Sequence, residues 1–114
     1  MTTPEELQNK LAQIAERYLD RVCREVEQLR VLVANAASGN LDVLREIETL
    51  THRMNGSGAM LQFDEISGHA GNLERMAAEF LRSGQVDQPR MIPILQALQA
   101  AIDRARAARQ RAGQ

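Results

Sequence analysis

The apolar positions of this chain fall into four stretches, and within each stretch they recur every three or four residues, as on one face of an α-helix. The first stretch opens with a capping box: Thr3 is the N-cap, Pro4 takes the first helical position and Glu6 the third. It ends at residues 38–40, which predicts a helix of about 33 residues. Its apolar face consists of Leu7, Leu11, Ile14, Tyr18, Val22, Val26, Leu29 and Val33.

The second stretch predicts a helix with an unusual feature near its end. Asn40 is the expected N-cap. Two glycines, Gly56 and Gly58, lie inside the helical pattern, although each costs up to about 1 kcal/mol relative to alanine. We therefore expect something to approach the backbone there. The predicted buried stripe of this helix consists of Leu44, Ile47, Thr51, Met54 and Leu61.

Two further helices complete the pattern. The third is predicted from about residue 63 to Ser83, where Gly84 ends it. Asp87 is the expected cap of the fourth, with Pro89 in its first turn. Pro93 leaves two readings of this start, a distorted first turn or a helix that begins later.

Short loops between the predicted helices favour antiparallel neighbours. The expected architecture is all-α, an antiparallel up-down-up-down four-helix bundle with a long first helix that projects past the others. We expect residues 1–114 to form a single domain and the protein to be a monomer. Met1 and the capped first helix predict a free-standing chain.

Composition narrows the class of protein. Only 3% of the 114 residues are aromatic, which argues against a β-sandwich or barrel. Cys23 is the single cysteine, so neither an internal disulfide nor a cysteine metal site is expected. The polar N-terminus and the lack of a long apolar run predict a cytoplasmic protein without a membrane segment. A net charge of −1 argues against a dedicated nucleic-acid binder.

One strip of the second helix carries candidate chemistry, because its members share an outward face. Neutral imidazole is a competent nucleophile near neutral pH, and a rigid helix holds it in place. Small residues one turn later leave room for a partner that carries a phosphoryl group. Phosphoryl transfer needs mainly positioning and charge stabilisation, part of which a partner can supply. The strip consists of Arg45, Glu48, His52, Asn55, Gly56 and Ala59.

Residues 50–58, which read LTHRMNGSG, resemble the signature of histidine phosphotransfer (HPt) domains. Residues 39–41 and the segment from residue 61 to residue 74 match the neighbouring parts of that family at the expected spacing. The resemblance covers about residues 15–84. It implies that His52 accepts a phosphoryl group and exchanges it with the aspartates of response-regulator receiver domains.

The resemblance also implies the partners, which are a hybrid histidine kinase and a downstream response regulator. It implies no autokinase or ATPase activity and no cofactor of the chain's own, since the receiver holds the Mg²⁺. Glu48, Gly56 and Ala59 are the expected partner-docking residues. No metal site is expected, because two histidines far apart in the sequence make a weak one.

Asn55 departs from the family pattern, which usually has lysine there. An asparagine side chain can donate a hydrogen bond to the phosphoryl oxygens but carries no charge. The departure favours an alternative, a module that binds a receiver domain and titrates it without transferring phosphate. A third hypothesis is a purely structural bundle, for instance an oligomerisation element.

Several other residues have simpler interpretations. His69 is expected to be a half-buried structural histidine. Close helix packing explains Gly58, whereas partner approach explains Gly56. For Glu74, a partner contact, a structural hydrogen bond and a surface charge all remain open. The arginines at the end of the fourth helix are expected to form a solvated face that complements the helix dipole.

Overall fold

The computed structural model describes residues 2–112, and all of its regular structure is helical. Helix α1 spans Pro4–Ala36, α2 Leu41–Met60, α3 Asp64–Ser83 and α4 Met91–Ala112, with a 3-10 turn at Gln88–Arg90 before α4. The prediction of an all-α four-helix bundle is therefore confirmed. Within the described range, no helix is long and apolar enough to cross a membrane.

Contacts between neighbouring helices establish the antiparallel order. The hydroxyl of Tyr18 on α1 reaches the Met54 carbonyl on α2, and the Arg104 guanidinium on α4 bonds Glu65 near the start of α3. The Arg109 side chain near the end of α4 donates to the carbonyl of Ala12 near the start of α1. The two arginines join the second half of α4 to the first turn of α3 and to the first third of α1, and on α2 and α3 later positions pair with earlier ones. This is the arrangement of an up-down-up-down bundle.

The starts of α1 and α2 follow the sequence signals, whereas the start of α4 departs from them. Thr3 and Glu6 form the predicted capping box, and the Asn40 side chain accepts from the backbone N–H of Asp42 at 2.9 Å. The Asp87 side chain makes no capping hydrogen bond, so the prediction that it caps helix α4 is wrong. Helix α4 begins later, and Pro93 fits its first turn because backbone N–H groups there have no partner within the helix.

The predicted apolar face of α1 is only partly buried. From Tyr18 to Val33 its members belong to the core. Leu7, Leu11 and Ile14 are exposed, because α1 extends beyond the end of α2. The expectation that the first helix projects past its neighbours is confirmed, and the beginning of its apolar face lies exposed there.

Tyr18 joins α1 to the stretch of α2 that carries the candidate histidine. Its hydroxyl donates to the backbone carbonyl of Met54 at 2.9 Å, and its ring stacks on Phe63 with centroids 5.4 Å apart. Burial raises the pKa of Tyr18 to about 12, while the nearby Arg21 acts in the opposite direction.

We expect the phenol of Tyr18 to titrate near pH 12 in the folded protein rather than near the ordinary pKa of 10.0. Because the pKa is raised in the folded state, the protonated Tyr18 hydroxyl contributes fully to the free energy of unfolding below pH 10. That contribution is lost as the pH rises toward 12. The chain has one tyrosine and no tryptophan, so ultraviolet absorbance of the phenolate reports this group alone. A midpoint near 10 in protein that circular dichroism shows to be folded would contradict the prediction.

Candidate functional site

The candidate site is centred on His52, on the outer face of α2. Two nearby residues of α2 are buried and fix which side of the helix faces outward. Thr51 precedes His52, and its hydroxyl donates to the Ile47 carbonyl at 2.7 Å. Met54, two residues after His52, is fully buried. One residue along a helix is a rotation of about 100°, so these buried neighbours turn the imidazole outward. Its side chain is 74% exposed.

Glu74 on α3 holds one edge of the imidazole. Its Oε2 lies 2.6 Å from Nδ1 of His52, and its side chain is only 22% exposed. An ionised carboxylate can only accept a hydrogen bond, so Nδ1 is the donor and carries the ring proton. In the neutral ring, Nε2 then keeps its lone pair. The pair thus orients the ring and selects the tautomer whose solvent-side nitrogen is nucleophilic.

Asn55 lies one turn from His52 but is turned toward α3. Its Oδ1 accepts from the Ser67 hydroxyl at 2.6 Å, and its Nδ2 lies 3.5 Å from Oε1 of Glu74. The residue is half-buried. The amide therefore contacts the carboxylate that holds the histidine, while its direct contact with a phosphoryl group stays a prediction.

The three predicted docking residues occupy the same outer part of α2. Gly56 and Ala59 are exposed, and Glu48 is half-buried. A Cβ added at Gly56 would meet no atom within 4 Å. Internal packing therefore gives no reason for glycine at position 56, which leaves the surface beside His52 flat.

Gly58 has the opposite environment. A Cβ there would lie 2.7 Å from the Tyr18 hydroxyl and 3.3 Å from Cβ of Ser67. The prediction that close packing explains this glycine is confirmed. Its absent side chain lets the Tyr18 hydroxyl and α3 approach α2 one and a half turns after the histidine.

The two glycines make a matched pair for substitution. We expect Gly58→Ala to lower the free energy of unfolding by about 1–3 kcal/mol, because the buried Tyr18 hydroxyl must move. We expect Gly56→Ala to raise it by up to about 1 kcal/mol, since alanine is the better helix former and meets nothing. Urea unfolding of both variants measures the difference, and equal effects of the two would contradict this assignment.

The α3 side of the site was only partly anticipated from the sequence. Of the alternatives for Glu74, the structure shows a hydrogen bond, and its partner is His52 itself. The sequence pattern did not identify Ser67 or Gly71 as site residues. In the structure, the Ser67 hydroxyl donates a hydrogen bond to Asn55, and a Cβ on Gly71 would lie 3.2 Å from Nδ2 of Asn55. Their spacing of four and then three residues, ending at Glu74, was the available signal, because it places them on one helical face.

The remaining chemical candidates lie outside this site. His69 is half-buried, as expected. Arg104, Arg106 and Arg111 are exposed, as expected of a solvated face, whereas Arg109 is half-buried and its side chain donates to the Ala12 carbonyl. Between residues 2 and 112, no group of three or more His, Cys, Asp or Glu side chains is arranged to hold a metal ion.

Comparison with models of protein families gives one match. The family model described as Hpt domain matches residues 5–108, which is nearly the whole chain. The comparison with curated proteins gives no match, and neither does the comparison with solved structures.

Proposed function

The chain belongs to the Hpt domain family, and from this membership we propose that it carries a phosphoryl group on Nε2 of His52 between receiver-domain aspartates. Family membership makes it a phosphotransfer module of two-component signalling. The observation that carries the finer proposal is the hydrogen bond between His52 and Glu74, which commits Nδ1 and leaves Nε2 to react.

The proposed transfer is a displacement at phosphorus. The Nε2 lone pair of His52 forms the new N–P bond while the P–O bond of the partner's aspartyl phosphate breaks. The aspartate leaves as a carboxylate, and no proton has to leave Nε2. The reverse reaction passes the group to an aspartate of the next receiver. This chain supplies position and the acceptor atom, and the partner supplies part of the charge stabilisation that phosphoryl transfer also requires.

Glu74 has a second part in this proposal. When Nε2 is phosphorylated, Nδ1 keeps its proton and the ring becomes positively charged. The Glu74 carboxylate, already 2.6 Å from Nδ1, then faces that charge and stabilises it. Asn55 supports this arrangement through its contact with the other carboxylate oxygen. Its proposed role is therefore partly indirect, whereas a lysine would place its charge on the phosphoryl oxygens.

Glu48, Gly56 and Ala59 form the proposed docking surface around the histidine. Phosphorus must come within bonding distance of Nε2, so the partner's backbone and loops must lie close to α2. The open space outside Gly56 permits that approach. We propose that the partners are the receiver domain of a hybrid histidine kinase and that of a response regulator, met by a monomer in the cytoplasm.

Asn55 favours the alternative function, a module that binds a receiver without accepting phosphate. Its amide is engaged by Ser67 and Glu74, and no positive charge stands at this position. The two functions differ in one observable, since both predict binding but only the carrier becomes labelled.

The test uses receiver domains that have been phosphorylated on aspartate and freed of the phosphate donor. We expect label to move to the wild-type chain and to show the acid lability and alkali stability of phosphohistidine. Binding of a receiver without any movement of label, under conditions in which a known HPt domain accepts it, would establish the alternative instead.

A further inference from the structure

Three of the arginines of α1 lie on the side of the helix that faces α2. Arg17, Arg21 and Arg24 are spaced by four and three residues, so they lie along one side of the helix, the arginine ridge. This side looks toward α2, because Arg17 and Arg21 line a hollow together with Ser57. Asp20 lies on another side, near Cys23. The pKa of the Cys23 thiol is raised by burial first, and the charges of Asp103 on α4 and of Asp20 raise it as well.

Two hollows lie between α1 and the outer edge of α2. One of about 600 Å³ has Leu32 and Leu50 in its lining, with Val31, which is 60% exposed, beside them. The other, of about 350 Å³, includes Ile14 and Met60, of which Met60 is 83% exposed. The arginine ridge therefore borders a surface with apolar hollows.

Several arginines at this edge have no ion pair, and one acidic residue, Glu46, also lines the larger hollow. Within the described part of the chain, Arg17 and Arg24 have no ion-pair partner, nor does Arg53 in the lining of the larger hollow. Arg21 packs over the Tyr18 ring, 5.2 Å from its centroid, and lies 3.6 Å from Glu25.

The opposite edge of α2, toward α3, carries charges of both signs. Asn55 contacts α3, and Glu48 lies seven residues earlier on the same side of α2, so it also lies toward α3, where Glu74 is. Arg75 lies on this edge too, because a Cβ on Gly71 would be 3.3 Å from its Nη1 and 3.2 Å from Nδ2 of Asn55. His52 thus stands between a basic edge, formed by the arginine ridge and Arg53, and an edge of mixed charge. A partner that covers the histidine meets both edges, and the basic edge favours the acidic part of its surface.

We propose that the α1–α2 groove with its arginine ridge selects the receiver partner and sets its orientation, an inference that rests on the proposed function. The receiver would place an apolar side chain in a hollow and carboxylates against Arg17 and Arg24. Its phosphorylated aspartate and metal-binding carboxylates make that part of a receiver acidic.

Two other occupants fit the surface less well. A contact with a second copy across a twofold axis uses the same patch on both subunits. It would bring the positively charged ridge close to its own copy, and the like charges would repel each other. A nucleic acid would use the arginines but would leave the apolar hollows unfilled, and it would meet Glu48 and Glu74 on the other edge.

The test compares two double charge reversals in the full chain. In Arg17→Glu/Arg24→Glu we expect the KM for a phosphorylated receiver to rise about tenfold or more, with the transfer rate at saturation changed less than about twofold. Added salt should weaken transfer to wild type and have little effect on this variant. Arg21 stays unchanged because it packs on Tyr18.

Arg82→Glu/Arg111→Glu is the matched control, since it makes the same change in net charge at two exposed positions away from the groove. We expect its KM to stay within about twofold of wild type. An equal rise in the control, or an unchanged KM in the ridge variant, overturns the proposal. The proposal is also overturned if the wild-type chain forms a dimer and the ridge variant does not. It is overturned as well if the ridge variant loses binding to duplex DNA while its binding to the receiver is unchanged.

Failure of the proposed function gives a separate result. If no receiver passes label to wild type, equilibrium binding of the same receivers replaces the kinetic readout. If the ridge variant loses this binding and the control variant keeps it, the ridge proposal is supported although the proposed phosphotransfer is rejected. Binding that neither variant changes, or no binding by wild type at all, overturns the ridge proposal as well.

Discussion

His52→Gln is expected to reduce the transferred label to background. Glutamine is similar in reach and can still bond Glu74, but it has no ring nitrogen that can attack phosphorus. The side chain is 74% exposed, so the free energy of unfolding should change by less than about 0.5 kcal/mol. The measurement is the transfer assay on wild type and variant, with circular dichroism and urea unfolding to show that both are folded.

His69→Gln is the matched control, because the chain contains two histidines and only His52 faces Glu74. We expect this variant to accept label like wild type. Label that persists in His52→Gln and disappears in His69→Gln would move the acceptor to α3. Label that persists in both variants would show that phosphate is held by another type of residue.

Glu74→Ala is expected to slow transfer to His52 by about 10- to 100-fold, the scale on which loss of a partner that orients a functional histidine acts. The variant loses the acceptor that holds the proton on Nδ1 and the negative charge that faces the phosphorylated ring. Single-turnover transfer from a phosphorylated receiver, at saturating concentration, measures the rate.

Nitrogen NMR of the imidazole separates positioning from a general loss of structure. We expect wild type to show the proton on Nδ1 of neutral His52, and Glu74→Ala to shift the population toward a proton on Nε2. Glu79→Ala, an exposed glutamate further along the same helix, should alter neither the tautomer nor the rate. A slow Glu74→Ala variant with an unchanged tautomer would contradict the positioning role.

The start of α4 shows where local signals fail. Asp87 has a side chain suited to an N-cap and Pro89 follows two residues later, so these two residues favoured a helix from that point, while Pro93 left a later start open. The structure instead has a 3-10 turn and then α4. Proline is compatible with the first turn of either kind of helix, so the local sequence does not discriminate between the two starts.

The exposed part of the α1 face shows a different limit. Leu7, Leu11 and Ile14 continue the spacing of the buried residues, and nothing in that spacing distinguishes them from Tyr18 or Val22. Burial depends on whether another helix stands opposite, which is a matter of relative helix lengths and offsets. The α2 helix ends at Met60, so the first turns of α1 have no α2 residues to cover them.

The sequence by itself determined the four helices, most of their ends, the buried stripe through the centre of the bundle and the outward position of His52. These are consequences of spacing along one chain segment, because helical periodicity relates residues three and four positions apart. Only the tertiary structure decided that Glu74 holds Nδ1 of His52, that Asn55 is turned to Ser67, and that the arginine ridge borders a hollow between α1 and α2. Those pairings join residues on different helices, and their distances depend on how the helices pack rather than on any local pattern.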